Sequence, residues 1–414
     1  MSAAARHCDV AIVGGGMVGA SLALALAATR LDVMLIEAVE AGSDAQPSFD
    51  DRTTALGNGA RRILDTLGVW QEIAECAGAI RRIHVSDSGH FGCARLEAAA
   101  HGLEAFGYTV SNRHIGAVLW RALRGAAQLE LLSPARVLEV QLGEDAAQLR
   151  LVTAQGSVST VSARLIVAAD GAHSLVKQAA NIDSSEQDYQ QVALVANLRS
   201  DRAACGIAYE RFAAGGPLAL LPLADGGYTC VWTLEPQRAR LMQECDPAQF
   251  CAQLQQAFGW RAGQFRRVGQ RSAYRLSLVR AQQCIAARAA LIGNAAQALH
   301  PIAAQGFNLG LRDAAVLAEL IAPASDPGAA PLLEQFAERR AADRRGMIAF
   351  TDGLVKLFAD QRAAVIGARN LGLLLFDVSA PAKRALSRLS FGFGGALPRL
   401  ARGLPLAAPA RSRD

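Results

Sequence analysis

The segment that most constrains this chain is its first three dozen residues. A β-branched and apolar run, DVAIV at 9–13, ends in Gly14-Gly15-Gly16, and after Gly19 every residue from 20 to 28 except Ser21 is small or aliphatic. A second apolar run at 33–36 closes on Glu37. Strand, tight turn, closely packed helix and strand in that order make a βαβ unit. Gly14-x-Gly16-x-x-Gly19 then supplies what a dinucleotide needs. The first glycine permits the tight turn, the second lets backbone approach a pyrophosphate, and the third permits close helix–sheet packing. The helix start offers unpaired amides and a partial positive charge to the phosphates. Glu37 stands at the spacing of the acid that holds a ribose hydroxyl. The expectation is a dinucleotide site.

The uncharged run 10–29 has about the length of a membrane span, and Arg6 precedes it as a basic residue precedes a leader. Its four glycines, and the charges Asp9, Arg30 and Asp32 at its ends, fit a buried strand, turn and helix better. No span and no export are therefore expected, and the chain reads as cytoplasmic.

The remaining residues suit two or three interwoven domains, since 414 residues exceed what one hydrophobic core commonly organises. With 51% hydrophobic residues the chain can bury large cores, and with 6% aromatics it is poor in the platforms that stack nucleic-acid bases. No nucleic-acid partner is expected. The net charge of +5 is concentrated at the C-terminus, where residues 361–414 hold nine basic and two acidic side chains. Apolar runs interleave with those bases, notably residues 371–376, which points to a surface contact such as an anionic membrane. The alternative is that these helices merely cover the protein. Eight scattered cysteines, none paired as CxxC and none near clustered histidines, indicate free thiols and no metal site.

Further along, a helix is expected at 56–67, strands and turns at 83–110, a helix at 115–123, and paired strands at 137–142 and 148–153. Buried strands at 164–169 and 289–292 run into polar turns, Asp170-Gly171 and Gly293-Asn294. Two more strand ends could thus face the same ligand, as an extended dinucleotide with a ribityl chain requires. Residues 299–313, LHPIAAQGFNLGLRD, form a proline-and-glycine loop leading into a helix. No second Gly-x-Gly-x-x-Gly follows a later strand, so no stable nicotinamide domain is expected.

At these residues the chain resembles the flavoprotein aromatic monooxygenases of the para-hydroxybenzoate hydroxylase type. It is more narrowly similar to the UbiH-like ubiquinone-biosynthesis hydroxylases through IVGGGMVGASLALAL, FDDRTTAL, VAADGAHSLV, GPLALLPL, RSAYRL and GNAAQALHPIAAQGFNLGLRD. HVSDSGH (84–90) and QAFGWRAGQ (256–264) bring it nearest to those acting on 2-polyprenyl-6-methoxyphenol. Where the wider family has Asp after the third-motif glycine this chain has Asn294, and Ala304 stands where glycine is common.

The resemblance implies an α/β fold in which a Rossmann-like FAD-binding domain is interwoven with a mixed β-sheet substrate domain, followed by C-terminal helices. The FAD-binding parts would be 7–79, 104–185 and 276–350, the substrate parts 80–103 and 186–275, and the helical region 351–414. It implies FAD held by Gly14, Gly16, Gly19, Glu37, Arg52, Arg113, Asp170, Gly293 and Asn294, with Gly306, Phe307 and Asn308 near the flavin ring. His300, Pro301 and Gln305 would also lie near that ring, as candidates for catalysis rather than assigned catalysts. Pro217, Leu221 and Trp232 are candidates for an apolar substrate wall, or equally for ordinary core. The implied chemistry is hydroxylation of 2-polyprenyl-6-methoxyphenol to the benzoquinol through a flavin C4a-hydroperoxide, with O2 and NAD(P)H or another electron donor. Other ubiquinone-biosynthesis proteins and the inner face of the cytoplasmic membrane are implied contacts. Hydroxylation at another ring position, hydroxylation of a small soluble aromatic, and a non-catalytic FAD-binding assembly subunit remain open alternatives.

Overall fold

Strict alternation along the first strand decides the architecture. In Arg6–Val13, Val10 and Ile12 enter one apolar cluster while Ala11 and Val13 enter another, so both faces of the strand are covered. A strand buried on both faces belongs at the centre of a parallel sheet clad on each side. In the computed structural model, which describes residues 6–40, 52–213, 215–299, 305–360, 362–390 and 397–406, that is its place. Arg6–Val13 pairs in parallel with Val158–Ala168 on one side and Val33–Ile36 on the other. The parallel order continues outward to Ala289–Leu291 and to Leu129–Leu132. Ala135–Leu142 and Ala147–Thr153 add an antiparallel extension to Val158–Ala168.

The crossover helix Met17–Ala27 buries Gly19, Ala20, Ser21, Leu22 and Ala23, small residues that let it lie close on the sheet. The helix Gln305–Ile321 packs beside it. This helix is pinned to the long helix Ala330–Ala359 by a buried ionic knot. Asp313 Oδ1 accepts a hydrogen bond from Arg340 Nε at 2.6 Å, while its Oδ2 accepts from Gln297 Nε2 at 2.9 Å and lies 3.1 Å from Arg344 Nη2. Two guanidinium groups hold the Asp313 carboxyl below the usual carboxylate range despite its burial.

A second eight-stranded sheet runs in the order Gln297–Ala298, Phe265–Ala281, Ser184–Ser200, Tyr228–Leu234, Gly216–Pro222, Ile207–Ala213, Arg82–Asp87, Cys93–Glu97. It is antiparallel except where Arg82–Asp87 runs parallel to Ile207–Ala213. One face packs on the helices Pro236–Glu244 and Pro247–Phe258 through Trp232, Leu218, Leu220, Phe250 and Leu254. These two helices are inserted between the strands Tyr228–Leu234 and Phe265–Ala281. A small sheet of Thr53–Gly57, Gly107–Ser111 and Gly78–Ile80 joins the large ones. Leu56, expected at a helix start, lies in a strand of this sheet, and the helix begins at Asn58.

At the C-terminus, Ala363–Val378 is clamped to the second sheet. Asp87 accepts from Arg369 Nε at 2.8 Å and Asn370 Nδ2 at 2.9 Å, while Asn370 Oδ1 accepts from Gly92 N at 2.8 Å. The turn Arg399–Arg402 instead buries Leu400 and Ala401 against the parallel-sheet core. Among the described residues, no helix is long and apolar enough to cross a membrane. All eight cysteines are free thiols.

Candidate active site

Between the parallel sheet, the free face of the second sheet and the helices after residue 305 lies a cavity of about 1560 Å³. That is more than one drug-sized ligand needs. Its chemistry changes from one end to the other.

At one end the glycine turn leaves the first strand. Gly14 has φ +102°, and a Cβ there would stand 2.5 Å from Ala169 O; one at Gly19 would stand 1.9 Å from Gly14 O. Only glycine allows the two strand ends and the helix start to approach so closely. Gly16 is the N-cap of Met17–Ala27, with no side-chain cap and no acid in the first turn. The first-turn amides therefore keep their dipolar field for whatever occupies the cavity, which Gly14, Gly16, Met17 and Val18 line. Gly19 packs inward, beneath this turn.

Glu37 ends the second strand, 7% exposed, and its carboxylate accepts from Gly15 N at 2.6 Å and Val39 N at 2.9 Å. A carboxylate has about four acceptor positions, so two remain for a ligand's hydroxyls. Asp170 follows the strand Val158–Ala168. Its Oδ2 accepts from Leu175 N at 3.0 Å, while its Oδ1 is buried with no hydrogen-bond partner among the described residues. Burial pushes this carboxyl above the usual carboxylate range, against hydrogen bonds from Ser174 and backbone amides. Such an atom is unfavourable unless a donor arrives.

Gly293 (φ +58°) and Asn294 line the cavity at the third strand end, as do Gln305, Gly306, Phe307 and Asn308 at the start of the next helix. Among the described residues, a Cβ on Gly306 would meet nothing within 4 Å. The Asn308 amide accepts from Gly57 N at 2.9 Å and donates to Ala55 O at 2.8 Å, so it holds the strand Thr53–Gly57 in place. Arg52 lies with Cζ 4.5 Å above the Tyr274 ring, both lining the cavity. His300 and Pro301, like Ala304 and the first three residues of FDDRTTAL, lie outside the described residues.

Besides Gly19, which lies under the turn instead of on the cavity wall, two expected residues are not brought to the cavity. Arg113 is exposed on the first turn of Asn112–Gly125, and its neighbour Asn112 faces the cavity, accepting from Thr54 Oγ1 at 2.6 Å. Trp232 lies between two lining residues, Val231 and Thr233, so alternation turns its ring to the opposite face, against Phe250. Pro217 and Leu221 do line the cavity.

At the far end the walls are apolar: Ile83, Leu96, Phe106, Val195, Leu354 and Phe376. Phe212 of the sheet stacks on Phe358 of the long helix, ring centroids 3.3 Å apart. One ionisable side chain missed in the sequence, Glu210, opens into this region. HVSDSGH and QAFGWRAGQ meet at the edge of the sheet, where Arg261 and His84 Nε2 approach to 3.1 Å.

Surplus acceptors at Glu37, an orphaned Asp170 oxygen, open amides at a helix start and open space at Gly306 all suit FAD: a pyrophosphate, polyhydroxyl chains and a flat ring. A family model described as FAD binding domain matches residues 7–351. The chain is 37% identical over 410 residues to ubiquinone hydroxylase UbiL of Rhodospirillum rubrum, with 96% of this chain and 93% of that protein covered. To 3-demethoxyubiquinol 3-hydroxylase of Escherichia coli it is 31% identical over 394 residues, covering 93% and 98%. The crystal structure of p-nitrophenol 4-monooxygenase from Pseudomonas putida superposes with a TM-score of 0.77 at 19% identity, over 92% of this chain and 97% of that one. That last likeness is one of fold.

Proposed function

The chain belongs to the FAD binding domain family and is a FAD-dependent monooxygenase, and from that premise we propose that it hydroxylates the ring of a polyprenylated phenol in ubiquinone biosynthesis. The observation that carries the reading is the single cavity, polar and glycine-lined at one end and apolar at the other. It has room for a dinucleotide and a lipid-tailed ring together. In this reading the amides beyond Gly14 and Gly16 hold the pyrophosphate and Gly19 keeps the helix close. Glu37 accepts from the adenosine ribose, and Arg52 lies along the cofactor. Asp170, Gly293 and Asn294 meet the ribityl chain. Gln305, Gly306 and Phe307 border the flavin ring.

FAD, once reduced, activates O2 to supply the oxygen atom. The protein's part is to orient the phenol against the flavin and keep water away. Pro217, Leu221, Val231 and Leu354 would hold the ring and the first prenyl units. The division into FAD-binding and substrate domains given above belongs to the same proposal. NAD(P)H is the proposed electron donor, binding transiently. Of the ring positions, the one implied by the HVSDSGH and QAFGWRAGQ blocks is that of 2-polyprenyl-6-methoxyphenol.

Peripheral contact with a lipid surface forms part of the reading. Leu371, Leu374, Leu375 and Val378 are exposed on one face of Ala363–Val378, at the i, i+3, i+4, i+7 spacing of an apolar stripe. Other positions on this helix, Gly372, Leu373 and Phe376, line the cavity. It thus stands between the apolar end of the cavity and the outside, where a polyprenyl substrate would be drawn from a membrane.

The test is turnover of purified holoenzyme with NAD(P)H, O2 and either a prenylated methoxyphenol or para-hydroxybenzoate. The reading expects hydroxylated product, its position fixed by NMR, from the prenylated phenol. Product from the benzoate alone would make it a hydroxylase of small soluble aromatics; flavin that oxidises donor with no product from either would make it an assembly subunit.

A further inference from the structure

The free face of the second sheet places a lone carboxyl in an apolar wall. Along Ile207–Ala213, Ala208, Glu210 and Phe212 share the cavity face. Ala208 belongs to one apolar cluster with Ile80, Leu96 and Phe106; Phe212 belongs to another with Val355 and Phe358. Glu210 lies between them. Its partners in register are Val85 and Ala219, and the row continues through Val231 to Val195. All four line the cavity.

No hydrogen bond or ion pair reaches the Glu210 carboxyl from the described residues. The charged groups on neighbouring elements are engaged elsewhere. Arg211 points away, to Ser86, Ser88 and the Ala257 carbonyl. Arg369 is bound to Asp87, and on the long helix Lys356 pairs with Asp352, which also accepts from Tyr189. Burial alone pushes the Glu210 carboxyl up to about 7. An unpaired carboxyl that lines a ligand cavity among apolar neighbours serves no packing purpose.

We infer that Glu210 is the catalytic base that accepts the phenolic proton of the substrate. This rests on the reading of the cavity as the site of a phenol hydroxylase. In the step the phenol O–H bond breaks and a Glu210 O–H bond forms. The electron pair stays on the phenolic oxygen and raises the electron density at the ring carbon that receives oxygen. When that carbon then loses its hydrogen as a proton to water, Glu210 returns its own proton to the phenolic oxygen. The ring and the reduced donor each give an electron pair to O2, as the proposed activity requires. A free phenol titrates near 10, so a base poised near neutrality assists during ring attack, where the phenol becomes more acidic.

Glu210→Gln and Glu210→Asp holoenzymes test this with 2-geranyl-6-methoxyphenol as probe, following product formation against pH together with flavin content and phenol affinity. The wild type should speed up as pH rises through about 7 and then level off. Glu210→Gln should lose on the order of 10²-fold in hydroxylation and lose the pH step, with flavin content and phenol binding kept. Glu210→Asp should be slower yet keep a step. Infrared difference spectra of the oxidised holoenzyme should show a carboxyl titrating near neutrality that is missing in Glu210→Gln. If Glu210→Gln keeps the wild-type rate, or keeps the step while losing rate, Glu210 is not the base. If the wild type hydroxylates no prenylated phenol, the functional reading falls and the inference with it.

Discussion

Replacing Glu37 separates two contributions that the structure superimposes on one side chain. Its oxygens accept the Gly15 and Val39 amides at 2.6 and 2.9 Å in a nearly water-free position. Hydrogen bonds to a charged group contribute about 1.5–3 kcal/mol each, so Glu37→Ala should cost the apoprotein roughly 3 kcal/mol, allowing water to recover part of the loss. The same change removes the proposed acceptor for the ribose. One such bond is worth about 1–3 kcal/mol, or roughly ten- to a hundredfold in the FAD dissociation constant. Glu37→Gln keeps one acceptor but turns an amide NH2 toward a backbone N–H, so it should lose nearly as much. Denaturant unfolding of apoprotein reads the first term, and flavin fluorescence titration of the same samples reads the second. A destabilised apoprotein that binds FAD with wild-type affinity would refute the ribose assignment and leave Glu37 a brace for the glycine turn.

Gly16→Val should abolish FAD retention, because its branched side chain would enter the cavity where the proposed pyrophosphate site lies; flavin absorbance of the purified variant decides it. Asp313→Asn breaks a buried ionic knot and should cost about 3–5 kcal/mol in chemical denaturation. Because the Asp313 carboxyl is depressed in the fold, its stabilisation is complete above the ordinary carboxylate range and is lost as pH falls through its folded value. The variant should lack that part of the acid sensitivity. Leu371→Ser with Leu375→Ser should lower co-sedimentation with anionic vesicles by roughly tenfold or more while leaving FAD bound, and equal sedimentation would remove the membrane contact.

The first βαβ unit was legible because its signals are local: glycines at fixed spacing, a small-residue helix and an acid at a strand end. The later strands and their polar turns were legible for the same reason. What a strand's two faces look at was not. Pro217 and Leu221 read no differently from Trp232, yet register and the helices at 236–258 put Trp232 on the far side. Arg113 and Asn112 differ by one helical position, and only the packed helix decides which faces in. Glu210 looked like any charged strand residue, since its isolation depends on Val85 from a distant segment and Leu354 from a helix lying over the sheet. The C-terminal region divides in a way its composition did not announce. Ala363–Val378 keeps an exposed apolar stripe, whereas residues 397–406 cover the parallel sheet.

The central claim is that one cavity lets FAD deliver an oxygen atom from O2 to a phenol ring. Its most direct measurement is the mass of product formed when holoenzyme, reduced anaerobically, is mixed with a prenylated methoxyphenol and dioxygen of the heavy oxygen isotope. The account predicts a quinol carrying one heavy oxygen atom and none from solvent. Flavin that reoxidises while the phenol is recovered unchanged, or product whose new oxygen comes from water, would contradict it.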